Sequence, residues 1–181
     1  DTRAIVETSK KFNTDLSIIK GVIKSNNNRT KILLNRIYKI LNNKIKNKKI
    51  CFLGVTFKAN TDDMRESSSL KMIPVLQKKG AIISYFDPTG QKKEFNKLKK
   101  VTYYSSINKA CKNVELIIIH TEWNDFKSLN LNRLSKFKNV SIFDMRNILS
   151  QDRINKSKIK YYSIGSWLIK FKYCIYFYRY T

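Results

Sequence analysis

The chain has 181 residues, with 37 Lys+Arg against 13 Asp+Glu and a formal net charge of +24. Hydrophobic residues make up 42% and aromatics 12%, enough to fill a core, so wholesale disorder is excluded despite the charge. Five glycines and two prolines exclude collagen-like and linker-like chains, and no uncharged apolar run approaches the roughly 20 residues of a bilayer span.

Residues 1–47 read as a helical segment. Asp15 is an expected N-cap, followed by Leu16, Ile18, Ile19, Val22 and Ile23. After Ser25-Asn26-Asn27-Asn28 the pattern resumes at Ile32, Leu33, Leu34, Ile37, Ile40 and Leu41. Apolar positions three and four apart give a helical period. A continuous helix over residues 16–41 would be about 39 Å long. Its apolar stripe, running through Ile19, Ile23, Leu33, Ile37 and Leu41, is expected to stay exposed in a monomer and to pack against a second subunit; packing within the chain is the simpler alternative.

The stretch from Asn42 to Lys49 breaks that pattern, and a different period follows. Residues 48–165 alternate short apolar runs with helical stretches. Strands are expected at 50–55, 81–86, 101–104, 114–119, 140–143 and 159–163, and helices at 67–79, 106–112 and 131–137. Gly80 closes the first of these helices, and Asp87-Pro88-Thr89-Gly90 turns the chain after the second strand. The alternation predicts an α/β fold: a Rossmann-like, mainly parallel sheet with helices on both faces, preceded by a long helix. The tail, residues 166–181, is aromatic and basic and is set apart from both segments.

In such sheets ligands bind beyond the C-terminal strand ends. After the first strand come Thr56, Phe57, Lys58, Asn60, Thr61, Asp62, Asp63, Met64, Arg65 and Glu66; after the fourth, His120, Thr121, Glu122 and Trp123; after the fifth, Asp144, Met145, Arg146 and Asn147. Lys58, Arg65 and Arg146 are therefore expected on one rim, beside a helix starting near Ser67-Ser68-Ser69. Cations next to a helix start suit phosphate. Each of these cations taken singly could as well be a solvated surface charge. Gly54 stands alone, so the glycine-rich dinucleotide fingerprint and the phosphate-binding loop are missing.

Cys51, Cys111 and Cys174 are odd in number and have no metal-like spacing, so a reducing, cytoplasmic setting fits better than a disulfide framework. Residues 1–4 carry no signal-peptide pattern. His120, the single histidine, excludes a multi-histidine metal site and reads as a structural residue at a strand end. Cys51 and Cys111 read as buried small apolar residues. The charge admits an anionic partner: nucleic acid, a membrane surface or a phosphorylated ligand. The lysines are scattered, which favours a small phosphate ligand over a nucleic-acid footprint.

The run Leu53-Gly54-Val55-Thr56-Phe57-Lys58-Ala59-Asn60-Thr61-Asp62-Asp63-Met64-Arg65-Glu66-Ser67 closely resembles the signature of the nucleotide-sugar dehydrogenases, the UDP-glucose/GDP-mannose dehydrogenase family. Asp1-Thr2-Arg3-Ala4, Phe86-Asp87-Pro88, Thr121-Glu122-Trp123 with Phe126, and Phe143-Asp144-Met145-Arg146-Asn147-Ile148 support it in matching order. The wording is most similar to the UDP-glucose 6-dehydrogenases; GDP-mannose or UDP-N-acetylmannosamine dehydrogenases are the close alternative, and a non-catalytic basic nucleotide- or nucleic-acid-binding module the distant one.

The resemblance implies a central dimerisation helix in residues 1–47 and a UDP-sugar-binding domain in residues 48–165. It also implies oxidation of UDP-glucose to UDP-glucuronate by two hydride transfers to NAD, through a cysteine-bound intermediate. On this likeness Phe57, Lys58 and Arg146 contact the substrate, Arg65 reaches NAD, and Asp1 matches a carboxylate that orients or activates water. The main NAD domain and the nucleophilic cysteine are expected outside this sequence, so the chain on its own is expected to be inactive. The remaining partner expectations are a homodimer through residues 16–41, no nucleic acid and no membrane span. No metal site is expected.

Overall fold

The structure, a computed structural model, describes residues 2–137 and 139–165, with the backbone only at 2 and 3. Asp1 and the tail 166–181 lie outside the described residues. The chain divides into two units, residues 1–44 and a second from residue 45 onward.

The first unit holds α1 (Thr2–Lys11) and α2 (Ser17–Ile40), which pack on each other. The long helix is thus present, but two sequence expectations about it change. Asp15 does not cap it. The residue before the helix is Leu16, without a side-chain cap, and Asp15 pairs instead with Lys20 at 2.7 Å. The carboxylate gains more from an ammonium one turn on than from a free N–H in solvent. Nor is the apolar stripe exposed throughout. Leu33, Leu34, Ile37 and Leu41 are buried, whereas Ile18, Val22 and Ile32 are exposed, as are Ile5 and Phe12 on and after α1. The buried apolar side chains of α2 lie in its C-terminal third, while the exposed ones run from Ile18 to Ile32.

The second unit is built on six strands: β1 (Lys49–Leu53), β2 (Ile82–Phe86), β3 (Val101–Tyr103), β4 (Leu116–Ile119), β5 (Ser141–Asp144) and β6 (Lys160–Ser163). All five neighbouring pairs are parallel, in the order β3-β2-β1-β4-β5-β6. The central strands are apolar on both faces, as a parallel sheet covered on both sides requires; β4, Leu-Ile-Ile-Ile, is wholly buried. The connecting helices are α3 (Ser69–Lys78), α4 (Ile107–Ala110), α5 (Asn124–Lys127), α6 (Leu131–Leu134) and α7 (Gln151–Lys156).

One face of the sheet, carrying Cys51, Leu53, Ile117, Ile119 and Ile142, forms a single cluster with Ala110, Phe126, Leu131, Leu134 and Ile154 from α4 to α7. The opposite parity, with Ile50, Phe52, Ile83 and Tyr85, is equally buried; α3 packs on β2 and buries Met72, Ile73 and Leu76 outside that cluster. The fold is Rossmann-like with helices on both faces. The sequence reading omitted α5 and α7 because four to six residues are too few to display a helical period.

The strand order reverses between β1 and β4, the point beyond whose strand ends open α/β sheets bind their ligands. Gly54 stands at that point with φ +75°, and its N–H donates to Phe86 O (2.8 Å). A Cβ there would lie 2.6 Å from Thr121 Cβ, 2.8 Å from Thr121 Oγ1 and 3.1 Å from Phe126 Cε2. Only glycine lets β1 and the exit of β4 approach this closely. Gly54→Ala is therefore expected to cost about 2–4 kcal/mol, the left-handed backbone penalty plus overpacking. Urea unfolding checks this, and a loss below about 0.5 kcal/mol contradicts it.

Candidate functional site

Every strand runs the same way, so the residues following β1, β2, β4 and β5 gather at one edge of the sheet. Two fully buried aspartates hold the loops there. Asp87, after β2, accepts from Val55 N–H (2.8 Å), Thr89 N–H (3.0 Å) and Thr89 Oγ1 (2.5 Å), and Lys92 Nζ lies 3.8 Å away. Asp144, at the end of β5, accepts from the backbone N–H groups of Arg146 (2.9 Å), Ile148 (2.9 Å) and Leu149 (3.1 Å) and from the Tyr161 hydroxyl (2.9 Å). Charge-assisted bonds of this kind fix a loop more firmly than neutral ones. Burial, with the Asp144 carboxylate next, raises the Tyr161 pKa well above its ordinary value.

The loop from β1 to α3 spans residues 54–68. Phe57 N–H donates to Asp63 O (2.9 Å), and the Ser67 and Ser69 hydroxyls both donate to Val55 O (2.7 and 2.6 Å). These ties present Phe57 (48% exposed) and Lys58 to solvent. Arg65 is held through Nε and Nη2 by Asp63, both at 3.0 Å, with its side chain 90% exposed. That pairing keeps the Asp63 carboxyl below its usual range and raises Arg65.

His120 joins three segments. Its ring Nε2 meets Ser68 Oγ at 2.8 Å and Nδ1 meets Thr121 Oγ1 at 3.1 Å, while Thr121 Oγ1 donates to Thr56 O (3.1 Å). Its backbone carbonyl accepts from Arg146 Nε (2.7 Å). Burial foremost, then the Arg146 charge, lowers the His120 pKa to about 3. A ring that weakly basic is a poor general base near neutrality, so Ser68 beside it is not an activated nucleophile. His120 serves as a neutral connector, in keeping with its reading as a structural strand-end residue.

Arg146 Nε also lies 3.0 Å from Glu122 Oε2, an ion pair without hydrogen-bond geometry. The Trp123 indole N–H is buried without an acceptor among the described residues.

The structure thus brings Phe57, Lys58, Arg65 and Arg146 to one edge, as the order of strand ends predicts. Asp1 lies outside the described residues. Cys51 and Cys111 are buried, with their sulfurs 3.7 Å apart, and desolvation raises the Cys51 thiol well above its ordinary pKa. Sequence reading named Ser68 and Glu122 without assigning them roles, since contacts across 52 residues leave no local pattern. Among the described residues no group of three His, Cys, Asp or Glu side chains could hold a metal ion, and no helix is long and apolar enough to cross a membrane. Basic residues are not confined to this edge: Lys109, Lys112, Arg133 and Lys136 line an open groove between α4 and α6, helices that lead into β4 and β5 from the other end of the sheet.

A family model described as the UDP-glucose/GDP-mannose dehydrogenase family, UDP binding domain, matches residues 51–151. The UDP-glucose 6-dehydrogenase of Rickettsia prowazekii (strain Madrid E) is 36% identical over 169 residues, 92% of this chain and 39% of that protein. That of Rhizobium meliloti (strain 1021) is 32% identical over 166 residues, 91% of this chain and 38% of that protein. Among solved structures, a UDP-glucose dehydrogenase from the hyperthermophilic archaeon Pyrobaculum islandicum superposes with a TM-score of 0.72 at 24% identity, over 89% of this chain and 35% of that one. A GDP-mannose dehydrogenase from Pseudomonas aeruginosa gives 0.68 at 18%, over 91% and 37%. These structural likenesses concern the fold. The chain spans about two fifths of the length of the curated relatives it matches.

The buried neutral His120 has a consequence for stability. Its folded pKa of about 3 lies below the usual 6.5, so the unfolded chain binds the extra proton first. The His120 contribution to stability is complete above about pH 6.5 and is lost as pH falls towards 3, by up to about 1.4 kcal/mol per pH unit. In urea titrations between about pH 5 and 7, His120→Gln is expected to flatten this slope. An unchanged slope would show that His120 does not carry it.

Proposed function

This chain belongs to the UDP-glucose/GDP-mannose dehydrogenase family, and on that premise we propose that it forms the nucleotide-sugar-binding part of a UDP-glucose 6-dehydrogenase. The observation that carries the reading is that Phe57 and Lys58, after β1, and Arg146, after β5, share the sheet edge at which the strand order reverses.

Phe57 offers an exposed aromatic surface and Lys58 an exposed cation. Arg146 offers a planar guanidinium on a loop fixed by Asp144. A nucleoside diphosphate sugar needs this combination: cations for the pyrophosphate, and a firm apolar contact beside them. Substrate and product are proposed as UDP-glucose and UDP-glucuronate. The identity to UDP-glucose 6-dehydrogenases supports this choice over the GDP-mannose and UDP-N-acetylmannosamine relatives.

NAD is the oxidant this reading implies. The described residues do not build a dinucleotide site. Gly54 is the only glycine between β1 and α3, so their connection lacks the repeated glycines of a dinucleotide-binding turn. Arg65 is the residue proposed to reach NAD, its guanidinium exposed although paired with Asp63. No hydride step is derived from this chain; its residues bind and orient the sugar nucleotide. Asp1 remains the proposed water-orienting carboxylate, and residues 1–47, 48–165 and 166–181 the proposed helical segment, sugar-nucleotide domain and tail. A homodimer is proposed through residues 16–41, where α2 carries exposed apolar side chains at Ile18, Val22 and Ile32.

Calorimetric titration with UDP-glucose is expected to show binding that Lys58→Ala and Arg146→Ala each weaken by about 1.5–3 kcal/mol. The 181-residue chain mixed with UDP-glucose and NAD is expected to give no NADH. Equal or tighter binding of GDP-mannose would transfer the assignment to that branch. Wild-type affinity in both variants would overturn the site.

A further inference from the structure

Arg146 is held along one edge. Its Nε donates to the His120 carbonyl at 2.7 Å, and Glu122 Oε2 stands 3.0 Å from the same nitrogen. The terminal Nη1 and Nη2 have no hydrogen bond to any described residue. Guanidinium is planar, so fixing the Nε edge sets the direction in which the remaining N–H fork points. Glu122 Oε2 is itself buried and accepts no hydrogen bond, so Arg146 is its one compensating partner among the described residues.

Both side chains are part-exposed, at 33% for Arg146 and 39% for Glu122. An ion pair with that exposure contributes little to folding. Its effect falls instead on conformation, by removing rotamers that a long arginine would otherwise lose on binding a ligand.

We propose that Glu122 is a positioning residue for the anion site. With the His120 carbonyl it clamps Arg146 by Nε and thereby presents the Nη1/Nη2 fork to a diphosphate. The proposal deepens the function given above and rests on it for the identity of the anion. The clamp itself is a property of the unliganded chain. Glu122 therefore contributes through geometry, although its charge opposes that of the ligand.

Two readouts on the 181-residue chain separate the clamp from the ligand assignment. The first is the arginine Nε–Hε region of a proton–nitrogen NMR spectrum, without ligand. Arg146→Ala identifies the Arg146 signal by its loss. Glu122→Ala, which leaves only the His120 carbonyl on Nε, is expected to move that signal towards the position of freely rotating arginines and speed its exchange with water; Glu122→Gln, which keeps an oxygen at the same place, is expected to restore part of the shift. An unmoved Arg146 signal in Glu122→Ala would overturn the clamp.

The second readout is UDP-glucose titration of a double-mutant cycle. Glu122→Ala is expected to weaken binding about threefold to tenfold in the parent and to have no effect on top of Arg146→Ala. Tighter binding in Glu122→Ala would mean that Glu122 competes with the ligand, and full additivity would mean that it acts elsewhere; either result overturns the proposal. If Arg146→Ala leaves UDP-glucose affinity unchanged, the ligand assignment fails while the spectrum still decides the clamp. The melting temperature, expected to stay within about 2 °C, guards against a merely structural loss.

Discussion

Two buried carboxylates, Asp87 and Asp144, are satisfied mainly by backbone N–H groups at the ends of β2 and β5, and the arrangement of the whole edge follows from them. A parallel strand that ends in a loop leaves N–H groups without ladder partners. Buried, each would cost on the order of 1–3 kcal/mol if left unmade. One carboxylate answers several at once. Asp87 pulls Val55 and Thr89 together across the β1 and β2 exits. Asp144 gathers residues 146–149 and, through the Tyr161 hydroxyl, secures β6. The loops are therefore short and tied where they leave the sheet, and their tips are free to carry exposed groups.

Upon that frame the site has a division of labour. Groups that hold the edge are buried and neutral or internally compensated: His120, Thr121, Ser67, Ser69, Asp87 and Asp144. Groups that face outward are the aromatic Phe57 and the cations Lys58, Arg65 and Arg146. His120 links the two sets. Its ring fastens the start of α3 through Ser68, and its carbonyl fastens Arg146. Keeping this ring uncharged matters because an imidazolium beside Arg146 would repel it and would need solvation that the buried position denies. Basic side chains stand at both ends of the sheet, so the site is marked by where a few cations are anchored rather than by how many are present.

The alternation of apolar runs and helical periods determined the fold class. Six predicted strands map onto β1 to β6, because a strand buried on both faces needs a continuous apolar run that no helix surface requires. The motif from Leu53 to Ser67 and the Asp144-Met145-Arg146 run identified the family and the candidate residues. Strand direction then told which side chains would meet, since residues following parallel strands must share an edge.

Tertiary structure decided the rest. Asp15 was open to capping α2 or pairing with Lys20, both local options that its residue type allows, and the pairing prevailed. The periodicity of α2 could not tell which part of its stripe is covered, because an apolar face looks the same in sequence whether or not something lies on it; only coordinates separate buried Leu33 and Ile37 from exposed Ile18 and Val22. The contacts of His120 with Ser68 and Arg146, and of Arg146 with Glu122, join residues that only the strand order brings together. Residue type and spacing fix what a segment can form, while hydrogen bonds between distant segments depend on distances of a few tenths of an ångström that exist only once the sheet has closed its register.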